Sequence, residues 1–113
     1  MNNRAIGAYF EDRACAYLKD KGFKILHRNV RYRFGEIDIV ALFGRALVFV
    51  EVKGGNCFVP PRLRINEKKL RAIEMAANMY TKGLGDKYES YRLDVIEVLD
   101  SGEVNHIEGV GKW

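Results

Sequence analysis

Residues 35–53 read GEIDIVALFGRALVFVEVK, and this stretch decides the fold. Two runs rich in Ile, Val and Phe flank Gly44-Arg45, which predicts a tight antiparallel hairpin. A turn at this place makes Asp38 face Glu51, whether its loop has two or four residues. Opposed carboxylates destabilise a sheet, because directly opposed Cβ atoms lie only about 4.5–5.5 Å apart. The sequence therefore predicts that another group compensates this pair.

Alternation along the two strands should gather charged side chains on one face of the hairpin. That face carries Glu36, Asp38, Glu51 and Lys53, and the opposite face carries Ile37, Ile39, Val50 and Val52. A hard divalent cation would turn the carboxylate repulsion into coordination, because Mg²⁺ takes carboxylate oxygens and keeps several waters. Phosphodiester cleavage needs such a metal, a bound water and a nearby cation. The alternative is an ordinary hairpin whose alternating Glu and Lys form a solvated face.

The chain around the hairpin predicts two helices and further strands. A first helix is indicated over residues 4–21 by an apolar row at i+4 spacing, namely Ile6, Phe10, Ala14 and Leu18. Tyr9 and Tyr17 widen this stripe. Asn66 can cap a second helix. Strands are expected at Phe23–Tyr32, Glu36–Phe43, Ala46–Lys53, Tyr91–Leu99 and Val104–Ile107, with a loop from Gly54 to Arg64. This αβββαβ order indicates an α/β domain whose mixed central sheet is flanked by helices.

Glu11 is the anomaly of the first helix, because its row also contains Gly7, Ala14 and Leu18. A carboxylate therefore borders the buried face. If that face meets the hairpin, Glu11 could supply another metal ligand. The alternative is a carboxylate that bonds to nearby Arg13 or is solvated at the edge of the stripe.

Length and composition limit the class of protein. A chain of 113 residues predicts a single domain over residues 1–113, and no apolar run is long enough to cross a bilayer. The amphipathic N-terminus favours a cytoplasmic location, and Cys15 and Cys57 are expected as reduced thiols. The net charge of +4 is segregated, since residues 1–34 carry eight basic and three acidic side chains and residues 62–82 carry six and two. Basic segments around an acidic hairpin favour a polyanionic partner, although solvated basic faces are the commoner cause of such clusters.

Several motifs are spread along the chain: Gly7-x3-Glu11-x2-Ala14, Arg28-Asn29, Gly35-Glu36-Ile37-Asp38, Phe49-Val50-Glu51-Val52-Lys53, Lys68 with Ala76, and Arg92-Leu93-Asp94-Val95. Together they resemble the YraN family of endonuclease-like proteins over about residues 4–108. That family is similar to the archaeal Holliday junction resolvases and to the PD-(D/E)xK nucleases. The resemblance implies a restriction endonuclease-like fold and a metal-dependent nuclease.

The resemblance also implies roles for individual residues. Asp38 and Glu51 match the metal ligands for Mg²⁺ or Mn²⁺, the Val52 carbonyl matches the backbone ligand, and Glu11 matches the acidic residue that completes the site. Lys53 matches the residue that positions or activates water. The expected function is hydrolysis of DNA, with branched or structured DNA as one option, by a homodimer, since one small domain has little surface for a duplex. The alternatives are a non-catalytic nucleic-acid-binding module with the same fold, and a nuclease directed at RNA.

Other polar side chains have simpler interpretations. Arg62, Arg64, Lys68 and Arg71 could hold phosphates, whereas a solvated helix face explains Lys69 equally well. Arg92 and Asp94 could form a structural ion pair on one strand. His27 and His106 lack a catalytic partner at a known spacing and are interpreted as structural. Tyr9, Tyr17 and Tyr80 fit core stripes better than a platform for bases.

Overall fold

In the part of the chain that the structure describes, five strands form one mixed sheet with a helix on each face. The computed structural model of the chain describes residues 3–55 and 66–110. Its elements are α1 (Asn3–Asp20), β1 (Lys24–Tyr32), β2 (Gly35–Phe43), β3 (Ala46–Gly55), α2 (Glu67–Thr81), β4 (Ser90–Leu99) and β5 (Val104–Ile107). The strands lie side by side in chain order. The predicted α/β class with a mixed sheet between helices is confirmed, and it is compatible with a restriction endonuclease-like core.

Strand direction follows from the connections. Short turns join β1 to β2, β2 to β3 and β4 to β5, and all three pairs are antiparallel. The connection that contains α2 instead returns the chain parallel to β3, so that β4 pairs with β3 from Ala46↔Ser90 to Gly55↔Leu99. The central strands β3 and β4 are therefore held on both sides.

The two helices cover opposite faces of the sheet and build separate cores. α1 packs Ala14, Cys15 and Leu18 on one face, against alternate residues of β2, β3 and β4. α2 packs Ile73, Ala76 and Ala77 on the other face. α2 begins where Asn66 Oδ1 accepts a hydrogen bond from the Lys69 amide at 2.9 Å, as the capping pattern predicts. No helix within 3–55 and 66–110 combines the length and apolar character needed to span a membrane.

Some expected core positions of α1 lie at the surface. Ile6 is 39% exposed and Tyr9 is 51% exposed, so the predicted stripe was wrong at both positions. Tyr17 packs against the core below α1, and Tyr80 packs against the core below α2. The buried row of α1 therefore begins at Phe10, one turn later than the apolar spacing predicted.

The loop expected from Gly54 to Arg64 begins later than predicted. Gly54 and Gly55 belong to β3, because both pair with β4. Residues 56–65 lie outside the described part of the chain. Gly54 also has a packing role, because the ring of Phe10 occupies the place that a Cβ atom would take. Because Gly54 has no side chain, α1 can approach this end of β3 closely.

Ile37 departs from the predicted alternation. It packs in the core under α2 with Val40, whereas Ile39 packs under α1. The β2–β3 register begins at Ile39↔Val50, so residues of β2 before Ile39 pair only with β1. Two-stranded ribbons twist more strongly than wide sheets, and this twist turns Ile37 toward α2. Close packing of Gly35 against α2 supports the same end of β2, since a Cβ there would lie 2.8 Å from the Ala72 carbonyl oxygen.

Candidate active site

The candidate site lies where β2 and β3 separate. Their ladder runs from Phe43↔Ala46 to Ile39↔Val50, with the register that a two-residue turn at Gly44-Arg45 dictates. At the next position, Asp38 Oδ2 accepts the Val52 amide N–H at 2.8 Å. A side chain thus takes the place of the neighbouring backbone as the acceptor for β3. Beyond this point β3 continues beside β4, and a cleft opens between β2, β3 and α1.

Asp38 and Glu51 meet in this cleft, as the hairpin register predicted. Their carboxyl groups share a hydrogen bond, which requires a proton on one of them. Only 4% of Glu51 is exposed to solvent. Burial, followed by the negative charge of Asp38, raises the pKa of Glu51 to about 8. Burial also raises the pKa of Asp38, although the hydrogen bonds from Val52 and Glu51 oppose the shift. The pair therefore holds one shared proton at neutral pH when no cation is bound.

Two lysines approach the same oxygen of Glu51. Lys53 Nζ and Lys69 Nζ each lie 3.9 Å from Glu51 Oε1. Lys53 is the lysine that the strand alternation predicted. Lys69 comes from the first turn of α2, and the sequence left it open between a phosphate contact and a solvated face.

A sequence signal could have found Lys69. It continues the row of Ile73 and Ala77 at i+4 spacing, and both of those residues are buried. The row therefore leads from the core to the cleft with Lys69 at its end. The neighbouring Lys68 is exposed and does not line the cleft.

Glu11 reaches the same cleft from α1. Its side chain is only 14% exposed, and its Oε1 accepts hydrogen bonds from Asn29 Nδ2 at 3.1 Å and Arg28 Nη2 at 3.2 Å. Burial and then the charge of Asp38 raise the pKa of Glu11, while Arg28 and Asn29 oppose the shift. Glu11 is neither solvated nor paired with Arg13, whose Nε donates to the Gly102 carbonyl instead.

The cleft has a volume of about 390 Å³ and collects the predicted site residues. It is lined by Gly7, Phe10, Glu11, Glu36, Asp38, Glu51, Val52, Lys53, Gly54 and Lys69. Four of these residues bear carboxylates and two bear ammonium groups. The sequence predicted this grouping except for Lys69.

The donors in the cleft fit a hard divalent cation. Within residues 3–55 and 66–110, no three carboxylate, imidazole or thiol side chains converge into a complete metal-binding group. Asp38 and Glu51 are in direct contact, however, and Mg²⁺ is commonly held by one or two carboxylates while it keeps several waters. The Val52 carbonyl adds a third oxygen on the same side, because the N–H and C=O of one strand residue point the same way and this N–H is bound to Asp38.

The residues predicted to hold phosphates are placed differently. Arg62 and Arg64 lie outside the described part of the chain. Lys68 and Arg71 are exposed on α2, and Arg71 Nη1 lies 3.6 Å from Glu67 Oε2. Their contact with nucleic acid stays a prediction.

Asp94 is the centre of a second polar cluster, on β4 and β5. It is fully buried and accepts hydrogen bonds from Arg92 Nε at 2.8 Å and from the Gly109 amide at 3.0 Å. Its Oδ2 also lies 2.7 Å from His106 Nε2. None of these residues lines the cleft. The interpretation of Arg92 and Asp94 as a structural ion pair agrees with this geometry, and His106 joins them. His27 instead contacts the Tyr80 hydroxyl, at 2.7 Å.

Comparison with known proteins identifies the family of this chain. A family model described as "Uncharacterised protein family UPF0102" matches residues 10–98. A UPF0102 protein of Kosmotoga olearia is 60% identical over 107 residues, which cover 95% of this chain and 93% of the relative. UPF0102 proteins of Pseudothermotoga lettingae and Thermotoga maritima are 52% and 46% identical, each covering 88% of this chain, and 92% and 91% of their own lengths. The chain therefore belongs to UPF0102, the YraN family that its sequence motifs indicated.

Proposed function

We propose that this protein is a metal-dependent nuclease that hydrolyses phosphodiester bonds in DNA. The observation that supports it best is the buried carboxyl of Glu51, which contacts Asp38 and two lysines inside an open cleft. A buried pair of carboxylic acids is costly to ionise without compensation. A divalent cation in the cleft would supply that compensation.

Each residue of the cleft has a separate role in the proposed hydrolysis. Asp38, Glu51 and the Val52 carbonyl would hold the cation, and Glu11 would add a ligand from α1. A divalent cation bound there would supply charge neutralisation at the phosphate and would make a water more acidic. Lys53 would orient that water as a hydrogen-bond donor, and the proton of the water would pass to solvent. Lys69 would stabilise the negative charge that develops on the phosphate. Attack of the water oxygen on phosphorus breaks the P–O3′ bond, and the released 3′-oxygen takes up a proton.

Two guanidinium groups next to the cleft support a nucleic acid as the substrate. A groove of about 570 Å³ adjoins the cleft through Gly7, Glu11 and Glu36 and is lined by Arg28, Asn29 and Arg31. Arg28 pairs with Glu11 and Asp12, and Arg31 Nε lies 3.1 Å from Glu36 Oε2, so phosphates that flank the cut would replace these carboxylates as partners of the guanidinium groups. The proposal includes a homodimer, since one site cuts one strand, and a cytoplasmic location.

Cleavage of defined substrates tests the proposal. Labelled linear, flapped and four-way-junction DNA, together with matched RNA, are incubated with the protein and Mg²⁺ or Mn²⁺. Wild type should cut at least one DNA, and Asp38→Ala should not. Identical, near-background cutting by both proteins on every substrate would refute the proposed nuclease activity. Preference for RNA would retain the chemistry and change the substrate. Analytical ultracentrifugation with and without DNA tests the dimer.

A non-catalytic nucleic-acid-binding module is the second candidate. It is favoured by the contacts of Glu51, because Lys53, Lys69 and a shared proton offset the carboxylate repulsion without a metal. Calorimetric titration with Mn²⁺ separates the two candidates. A binding module takes up no cation in the cleft, whereas the nuclease binds Mn²⁺ and loses that binding in Asp38→Ala.

A further inference from the structure

Asn29 has an unusual backbone conformation in the middle of β1. Its φ angle is 54°, and it is the only non-glycine residue with positive φ in the described part of the chain. The β1–β2 register is the same on either side, at Arg28↔Ile39 and Val30↔Ile37. Asparagine tolerates the left-handed region better than most residues, but such a conformation persists only where its surroundings fix it.

The side chain of Asn29 leads to Glu11. Asn29 Nδ2 donates to Glu11 Oε1 at 3.1 Å, and Arg28 Nη2 contacts the same oxygen at 3.2 Å. Among the described residues, no hydrogen bond or ion pair falls on Glu11 Oε2. Within the described part of the chain, the carboxylate is thus held by one oxygen, and the Glu11 side chain lines the partly buried cleft.

The two donors to Glu11 differ in charge, and Arg28 also binds a second carboxylate. Arg28 is shared, since its Nη2 also contacts Asp12 Oδ1 at the shorter distance of 2.8 Å. A guanidinium beside the cleft also repels a divalent cation. The Asn29 amide is neutral, so it can fix Glu11 without opposing the cation.

We propose that Asn29 is a positioning residue, which holds Glu11 by Oε1 so that Oε2 can bind the divalent cation. This inference rests on the proposed function, because it assigns a role toward the metal of that site. Asn29 itself lines the adjoining groove and not the cleft, so it acts through Glu11. Residues that orient metal ligands typically change metal affinity by about 10- to 100-fold when they are replaced.

Two substitutions separate the amide from the backbone. Asn29→Gly removes the amide and keeps a residue that favours positive φ, whereas Asn29→Ala removes the amide and strains the backbone. Both variants should bind Mn²⁺ about tenfold more weakly in calorimetric titration, by a similar factor. The melting temperature of the metal-free protein should fall in Asn29→Ala and stay near wild type in Asn29→Gly.

A matched control and a double variant test whether Asn29 affects Mn²⁺ affinity through Glu11. Tyr17→Phe removes another polar contact of α1, the one to His106 at 3.3 Å, and should leave Mn²⁺ affinity unchanged. In a Glu11→Gln background, Asn29→Gly should cause no further loss of Mn²⁺ affinity, because the carboxylate that Asn29 positions is already absent.

Unchanged Mn²⁺ affinity in both Asn29 variants, with wild type binding normally, would overturn the positioning role. So would a full additional loss in the double variant. Failure of the proposed function has a different signature, because wild-type protein itself would then take up no Mn²⁺ and the positioning role would fall with it.

Discussion

The carboxyl groups of Asp38 and Glu51 share one hydrogen bond at the position where β2 and β3 part. Asp38 has a second task there, since its Oδ2 accepts the Val52 N–H. Asp38 therefore ends the antiparallel ladder between β2 and β3 and also lines the cleft. In the metal-free protein a proton occupies the place between two carboxylates where a cation is proposed to bind.

Cation uptake should therefore release a proton. Because the pKa of Glu51 is about 8, binding of Mn²⁺ at pH 7 should free roughly one proton per cation. Mn²⁺ affinity should rise as the pH increases toward 8 and level off above it. Calorimetry in two buffers of different ionisation enthalpy measures the released protons. An apparent enthalpy that does not depend on the buffer would contradict this exchange.

The same pKa predicts how Glu51→Gln changes stability. A folded-state pKa of about 8, above the unperturbed 4.5, means that the contribution of Glu51 is complete below pH 4.5 and is lost as the pH rises through 8. At pH 9, Glu51→Gln should therefore raise the free energy of unfolding of the metal-free protein by on the order of 1–3 kcal/mol. Urea denaturation between pH 5 and 9 measures the difference.

Glu89→Gln is the control for that series. Glu89 is 68% exposed in its ion pair with Arg45, so its replacement should change stability by less than about 0.5 kcal/mol. The Glu51→Gln variant should also lose any rise in melting temperature caused by Mn²⁺. If Glu51→Gln instead lowered the free energy of unfolding of the metal-free protein at pH 9, the ionised Glu51 carboxylate would not be destabilising the fold.

Adjacent lysines of α2 should have separable roles. Lys69→Met should lower the cleavage rate on the order of a hundredfold with little change in DNA affinity, because Lys69 lies at the proposed reaction centre. Lys68→Met should leave the rate at saturating DNA unchanged and reduce the salt dependence of binding by about one counterion. Single-turnover kinetics and binding titrations at several salt concentrations distinguish the two. Equal effects of both substitutions would refute the assignment.

The hairpin register made the core of this site predictable from the sequence. A turn at Gly44-Arg45 leaves one register, and that register is sufficient to bring Asp38 beside Glu51. Lys53 follows from alternation. These inferences succeed because pairing in an antiparallel hairpin is set locally, by the turn and by a period of two.

Contacts between distant elements could not be derived in the same way. The alternative to a metal-ligand role for Glu11 was a bond to Arg13, only two residues away, or solvation, but the structure gives Arg28 and Asn29 on β1 as its partners. That choice depends on how α1 lies across the sheet, which apolar spacing does not determine. Ile37 was misplaced for a related reason, because the twist of a two-stranded ribbon interrupts strict alternation.

The cluster around Asp94 should control acid stability. Burial raises the pKa of Asp94, but hydrogen bonds from His106, Arg92 and Gly109 outweigh it, and the pKa lies below its usual value. The contribution of a lowered pKa is present above pH 3.8 and is lost as the pH falls through the folded-state pKa. Asp94→Asn should therefore cost about 3–5 kcal/mol at pH 7, because it leaves the Arg92 guanidinium without its buried partner.

Urea denaturation from pH 7 down to pH 2.5 measures the effect of Asp94→Asn. Its destabilisation relative to wild type should shrink in the most acidic samples. Asp86→Asn, at an exposed position, should follow the wild-type curve at every pH. A constant difference between Asp94→Asn and wild type down to pH 2.5 would mean that ionisation of Asp94 does not contribute.

The contact between Phe10 and Gly54 should link packing to metal binding. Gly54→Ala places a methyl group where the Phe10 ring lies, so it should cost about 1–3 kcal/mol of stability. Because Glu11 follows Phe10 directly, displacement of α1 should also weaken Mn²⁺ binding. Phe10→Leu should recover part of both losses in the double variant, and Gly7→Ala, which meets nothing within 4 Å, should cause neither. Thermal denaturation and Mn²⁺ calorimetry on the four variants test this link, and additive losses in the double variant would show that the two residues act independently.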